Sequence, residues 1–160
     1  MMTNEELINR YPWLTPRNRF TDQPYKNEEY LYTELDNMPD GWRKAFGEQM
    51  CEEMNDEMLT WPKKEYDGFR ITQIKEKWGA LRVYVNYGSE KLYDIIAKYT
   101  TTSRVTCLQC GRPARWISRG WIAPWCDDCA VKRLKDYNLD DDQFLDEYYS
   151  IQDYYEKEED

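Results

Sequence analysis

Histidine is absent from this 160-residue chain, and glycine (seven residues) and phenylalanine (four) are scarce. Without an imidazole the chain lacks the usual neutral-pH general base and the commonest nitrogen ligand for metals. No run approaches the eighteen or more apolar residues of a membrane span. No glycine-rich phosphate cradle occurs, and the opening MMTNEELINR has neither the basic start nor the apolar stretch of a signal or transit peptide. These absences lead us to expect a cytoplasmic, non-enzymatic protein in a reducing compartment. One weak pattern, Asp67 with Gln73 and Lys75, resembles the acid…Gln-x-Lys trio of metal-dependent nucleases, and charged strands produce such trios by chance.

What the chain does have is five cysteines. Four fall in two C-x2-C pairs separated by fifteen residues, CLQCGRPARWISRGWIAPWCDDC, from Cys107 to Cys129. Each pair can set two thiolates on one side of a tight turn, and two such turns complete the tetrahedron that Zn²⁺ takes in closed structural sites. With no histidine, the ligand set must be Cys107, Cys110, Cys126 and Cys129. One structural zinc ion is expected, with no position left open for catalysis. Two disulfides would need an oxidising compartment and leave Cys51 over, so Cys51 reads as a small buried hydrophobe. Gly111 suits the left-handed turn after the first pair. Arg115–Ile117 and Trp121–Ile122 around Ser118-Arg119-Gly120 suggest a short hairpin, and Asp127 and Asp128 open a helix with Ala130, Leu134 and Tyr137 on one face. Knuckle, hairpin and ligand-bearing helix are the layout of a treble-clef finger.

The formal charge of -9 is concentrated. Residues 138–160 hold ten acidic residues against Lys157 alone, so of the 31 acidic and 22 basic residues in the chain, 21 of each fall in residues 1–137. Phe144, Tyr148, Ile151 and Tyr155 recur at spacings of four, three and four, one stripe of an acidic helix that docks on the body, although composition alone also allows a disordered tail. Carboxylates repel nucleic acid but can occupy a basic channel built to hold it. Asp140, Asp141, Asp142, Asp146, Glu147 and Asp153 are therefore the candidate partner-binding residues. The finger is the opposite case: Arg104, Arg112, Arg115, Arg119, Lys132, Arg133 and Lys135 lie among Trp116, Trp121 and Trp125, a composition that suits nucleic-acid binding or, alternatively, merely offsets the negative thiolate centre.

The remainder reads as an α+β body. A short helix at Asn4–Arg10 leads into a proline-broken arm anchored by Tyr11, Trp13, Leu14, Phe20, Tyr25, Tyr30, Leu31 and Tyr32. Asp40 is the expected N-cap of a long helix running to Thr60, with Trp42, Phe46, Met50, Met54 and Met58 on its buried face and Pro62 as its stop. Phe69–Tyr87 reads as a β-hairpin turning at Lys77-Trp78-Gly79, followed by a helix over Glu90–Tyr99 and a Thr100–Ser103 linker. The expected organisation is residues 1–103 as the α+β body with its arm, 104–137 as the four-cysteine zinc-finger module and 138–160 as the acidic, aromatic helix or tail.

Four stretches, YPWLTPRNRFT, LDNMPDGWRKAFGEQMCEE, ITQIKEKWGALRVY and CLQCGRPARWISRGWIAPWCDDCA, are similar to a group of small four-cysteine zinc-finger proteins carried by bacteriophages and prophages. The similarity spans most of residues 11–130 and is most specific at KEKWGALR and GWIAPWCDDC; the acidic tail lies outside it. It implies a phage origin, a bacterial host cytoplasm and a zinc finger. Among phage anti-defence proteins, an inhibitor of the type II-A CRISPR effector nuclease is the nearest type, which would bind the positively charged lobe that holds the guide–target heteroduplex and block target-DNA loading. The alternative function is a nucleic-acid-binding accessory protein working through the basic aromatic finger.

Overall fold

Thr3 and Glu6 form a reciprocal capping box, the side chain of each bonded to the backbone N–H of the other, so helix α1 (Asn4–Arg10) starts where the sequence predicts. The computed structural model describes residues 1–25 and 31–159, an α+β arrangement with two small antiparallel sheets. Behind α1 the arm buries Tyr11, Trp13 and Leu14, and the Trp13 indole donates to Asn55 Oδ1 at 3.1 Å. The other expected anchors are less deep. Phe20 is 92% exposed at the tip of a loop, Tyr25, Leu31 and Tyr32 are partly exposed, and Tyr30 lies outside the described residues.

The long helix forms in three sections: α2 (Asp40–Trp42), a π-helical turn over Arg43–Gly47, and α3 (Glu48–Met58). Residues four apart overshoot one α-helical turn by about 40°, so an unbroken α-helix would swing its stripe steadily off the core. The wider π turn takes back part of that drift. Trp42, Phe46, Met50, Met54 and Met58 are consequently all buried, and full burial of each methionine contributes about 2 kcal/mol. The N-cap is Pro39 rather than Asp40, because the first turn is satisfied from outside: Gly41 N donates to Leu108 O at 3.0 Å. Pro62 does more than stop the helix. It N-caps α4 (Lys63–Gly68), an element without a sequence expectation, whose Tyr66 hydroxyl donates to the same Asn55 oxygen at 2.8 Å.

Strands β1 (Ile71–Lys77) and β2 (Ala80–Val85) pair around Trp78 and Gly79, both at positive φ (51° and 75°), the geometry of a two-residue hairpin turn. The Trp78 ring is 75% exposed, with the Lys77 ammonium 5.0 Å from its centre. Register shifts between Ile71 and Gln73, which makes Thr72 a bulge. The nuclease-like trio is not assembled: Asp67 sits on α4, paired with Lys63, and the Lys75 ammonium lies over Tyr84. Helix α5 (Glu90–Ser103) is capped by Ser89, whose side chain accepts from Leu92 N. The expected Thr100–Ser103 linker is instead its last turn, because Leu81 N donates to Ser103 Oγ and Thr100 Oγ1 donates to Leu81 O, fixing that turn to β2.

In the C-terminal half, β3 (Trp116–Ser118) pairs with β4 (Pro124–Trp125), which leads into α6 (Asp127–Asp136). The hairpin's second strand lies beyond Trp121-Ile122, since Ser118 Oγ bonds to the carbonyls of Trp121 and Ala123 and makes those residues the turn. On α6, Ala130 and Leu134 are buried, but Tyr137, past the helix end, is 62% exposed. The described part of the acidic segment includes a C-terminal helix, yet its aromatic stripe is split among α7 (Phe144–Glu147), β5 (Tyr148–Ser150) and α8 (Ile151–Glu158). Strand β5 pairs antiparallel with β3 (Ile117 opposite Tyr149), completing a sheet of order β4-β3-β5. Pairing extends the backbone at 148–150 and overrides the helical spacing. Tyr148 becomes fully buried, its hydroxyl donating to Ala130 O at 2.9 Å.

Candidate metal centre

The first cysteine pair is held by a tight knuckle: Cys107 N donates to Arg112 O at 2.7 Å and Gly111 N to Cys107 O at 3.0 Å, with Gly111 at φ 81° as its position requires. The second pair is set by helix geometry. Cys126 is the N-cap of α6, and its sulfur accepts from Cys129 N at 3.4 Å, so both sulfurs face the same way from the helix start. The ligand atoms of Cys107, Cys110, Cys126 and Cys129 all lie within 4.8 Å of one another, and Cys110 and Cys126 Sγ are 3.5 Å apart. A tetrahedral ion with metal–sulfur bonds of about 2.3 Å requires sulfur–sulfur edges of about 3.8 Å, so the four thiols could hold a metal ion after shifts of about 1 Å or less. All five cysteines are unlinked, and Cys51 is buried on α3 away from the cluster.

Cys107 and Cys126 are buried and Cys110 and Cys129 half-buried, which leaves little room for a water ligand beside four sulfurs. Burial pushes the thiols of Cys126 and Cys129 up. It also acts against Cys110, but hydrogen bonds from the side chain and backbone of Arg112 outweigh it and bring that thiol down to about 6. Arg112 also bonds Asp128 at 2.9 Å, forming a bridge from sulfur to carboxylate. Its place two residues after Cys110 was the available sequence signal for this role. Asp127, in the first turn of α6, accepts from the Trp116 indole at 2.7 Å and pairs with Arg115 at 3.4 Å.

The basic residues of the finger are largely engaged within the molecule. Lys132 pairs with Asp136, Arg104 approaches Glu158 at 4.0 Å, the Arg119 guanidinium lies 3.7 Å from the centre of the Tyr149 ring, and Arg133 lies against Trp125, Tyr137 and Tyr148. The six candidate carboxylates differ in this respect. Asp140 caps the 3₁₀ turn Asp141–Gln143, Asp146 and Glu147 lie on α7, and Asp153 lies in the first turn of α8. They do not share one helix face. Five are exposed, Glu147 is half-buried, and none of the six is in an ion pair among the described residues.

No described helix is long and apolar enough to cross a membrane. Comparisons of the chain with protein-family models, with curated proteins and with solved structures find no match in any of the three.

Proposed function

We propose that the protein is a zinc-stapled, non-enzymatic inhibitor that uses its acidic C-terminal segment to occupy a basic nucleic-acid-recognition surface on a partner protein. The observation that carries this reading is the set of carboxylates from Asp140 to Asp153 that form no ion pair among the described residues, on a segment joined to the body by β5. Because pairing with β3 already fixes residues 148–150, between Glu147 and Asp153, binding does not have to order that part of the segment, and the ordering entropy that weakens disordered acidic tails is reduced. The resemblance to phage proteins makes the type II CRISPR effector nuclease in a bacterial host cytoplasm the first partner to try, with blocked target-DNA loading as the consequence. Zinc is the proposed ion because an all-thiolate tetrahedral donor set suits it and leaves no open coordination position. In that role it holds the sheet to which the acidic segment is fastened.

The alternative, direct nucleic-acid binding by the finger, is weakened by the internal pairing of its cations. Titration separates the two. The inhibitor reading expects salt-sensitive binding to the effector and none to free DNA; tight DNA binding at moderate salt would favour the finger instead. Joint neutralisation of Asp140, Asp141, Asp142, Asp146 and Glu147 to their amides should weaken the effector complex by about tenfold or more. Unaltered affinity would remove the acidic segment as the contact surface. Elemental analysis should find one zinc per chain, and another metal at full occupancy would refute the ion assignment.

A further inference from the structure

A cavity of about 610 Å³ opens between the arm and the mouth of the β1–β2 hairpin, with none of the four cysteines of the metal centre in its lining. Two of its lining residues, Arg17 and Arg70, each have a buried Nε–H with no hydrogen-bond acceptor among the described residues. Their remaining bonds are to main-chain carbonyls: Arg17 Nη1 donates to Asp22 O, and Arg70 Nη1 to the carbonyls of Asp67 and Phe69. The Asp22 carboxylate approaches Arg70 Nε only to 4.0 Å, too far for a hydrogen bond, and is 75% exposed. Glu34, also in the lining, accepts from the Asn37 amide instead. The Arg70 side chain is only 17% exposed, and burial together with the charge of Arg17 lowers its pKa. Two guanidiniums held near each other, each with a donor unmet among the described residues, favour an anion that supplies the acceptors.

The hairpin adds to the same wall. The bulge at Thr72 breaks the β1 alternation, and Thr72 lines the cavity. Bulges commonly re-aim a side chain beside a functional site. The volume exceeds that of a bare oxyanion several-fold and falls within the range of small-molecule sites, and the indole of Trp13 and the phenol of Tyr32 contribute to its lining.

From this geometry we propose that the cavity binds a phosphate monoester of a small organic body, with Arg17 and Arg70 gripping the phosphoryl group. A carboxylate has two oxygens, which one guanidinium fork satisfies; a phosphoryl group has three terminal oxygens and can bridge two forks and a hydroxyl such as that of Thr72. The site is independent of the acidic segment and of the metal.

The test is calorimetric titration of the full-length, metal-loaded protein with adenosine 5′-monophosphate, ribose 5-phosphate, inorganic phosphate and citrate. The expected result is one-to-one binding of at least one of the two esters, weaker binding of inorganic phosphate, and weakest binding of citrate. Arg17→Gln and Arg70→Gln should each reduce ester affinity by about tenfold or more. Arg70 is largely buried, so the milder Thr72→Ala and Arg17→Lys variants accompany it, and each should lose several-fold in affinity with an unchanged melting temperature. Absence of ester binding, equal affinity for inorganic phosphate or citrate, or binding indifferent to Arg17→Gln and Thr72→Ala would each overturn the proposal.

Discussion

Cys51 lies fully buried on α3, and burial pushes its thiol up to about 12. In the unfolded chain the same thiol ionises from about 9, so between those values the unfolded state binds fewer protons than the folded one and stability must fall as pH rises. The slope from this one group approaches about 1.4 kcal/mol per pH unit. Denaturant melts at about pH 8 and pH 10 should therefore show a steeper alkaline loss for the wild type than for Cys51→Ala, and parallel slopes would contradict the assignment. Sequence alone identified Cys51 as a small hydrophobe because the two C-x2-C pairs leave it over. It could not identify Arg17 and Arg70 as a pair. They are far apart along the chain, and only the fold of the arm onto the hairpin mouth brings them to one cavity.

The metal cluster and the sheet behind it form the element whose formation depends most on a ligand. Four sulfurs this close cannot all be ionised without a cation among them, so metal binding must release protons, chiefly from the cysteines whose thiols burial raises. Affinity should accordingly weaken as pH falls. Removing the metal with a chelator should abolish amide-exchange protection across residues 107–136 while β1 and β2 stay protected; uniform loss, or no loss, would show that the metal is not a local staple. The cluster was legible because ligand spacing is a local property, and α1, the hairpin and the start of α5 were legible through local composition, alternation and helical spacing. The division of the acidic segment was not. Its stripe satisfies a helical period, and only the open edge of β3, thirty residues earlier, pulls Tyr148–Ser150 into a strand. Likewise the π turn at Arg43–Gly47 restores a register that residue spacing alone cannot reveal.

Across the whole molecule, the finger and the body meet backbone to backbone. A Cβ at Gly41 would lie 2.6 Å from Gly111 N and 2.7 Å from Leu108 O, and the Trp42 indole donates to Thr106 O at 2.9 Å. These neighbours are main-chain atoms and cannot rotate away, so Gly41→Ala should destabilise the protein by about 2–3 kcal/mol. The same substitution should weaken metal binding, because the knuckle it displaces carries Cys107 and Cys110. Denaturation and a metal-competition assay on one variant check both effects, and normal metal affinity in a destabilised protein would show that the two halves fold independently. The β3–β5 pairing has a further consequence, in time rather than in energy. During synthesis the knuckle, β3 and α6 emerge before residues 148–150, so the cluster can take up its metal while one edge of β3 has no partner. In that interval the nascent chain carries an open strand edge able to recruit another copy, and the speed with which β5 arrives sets how often it does.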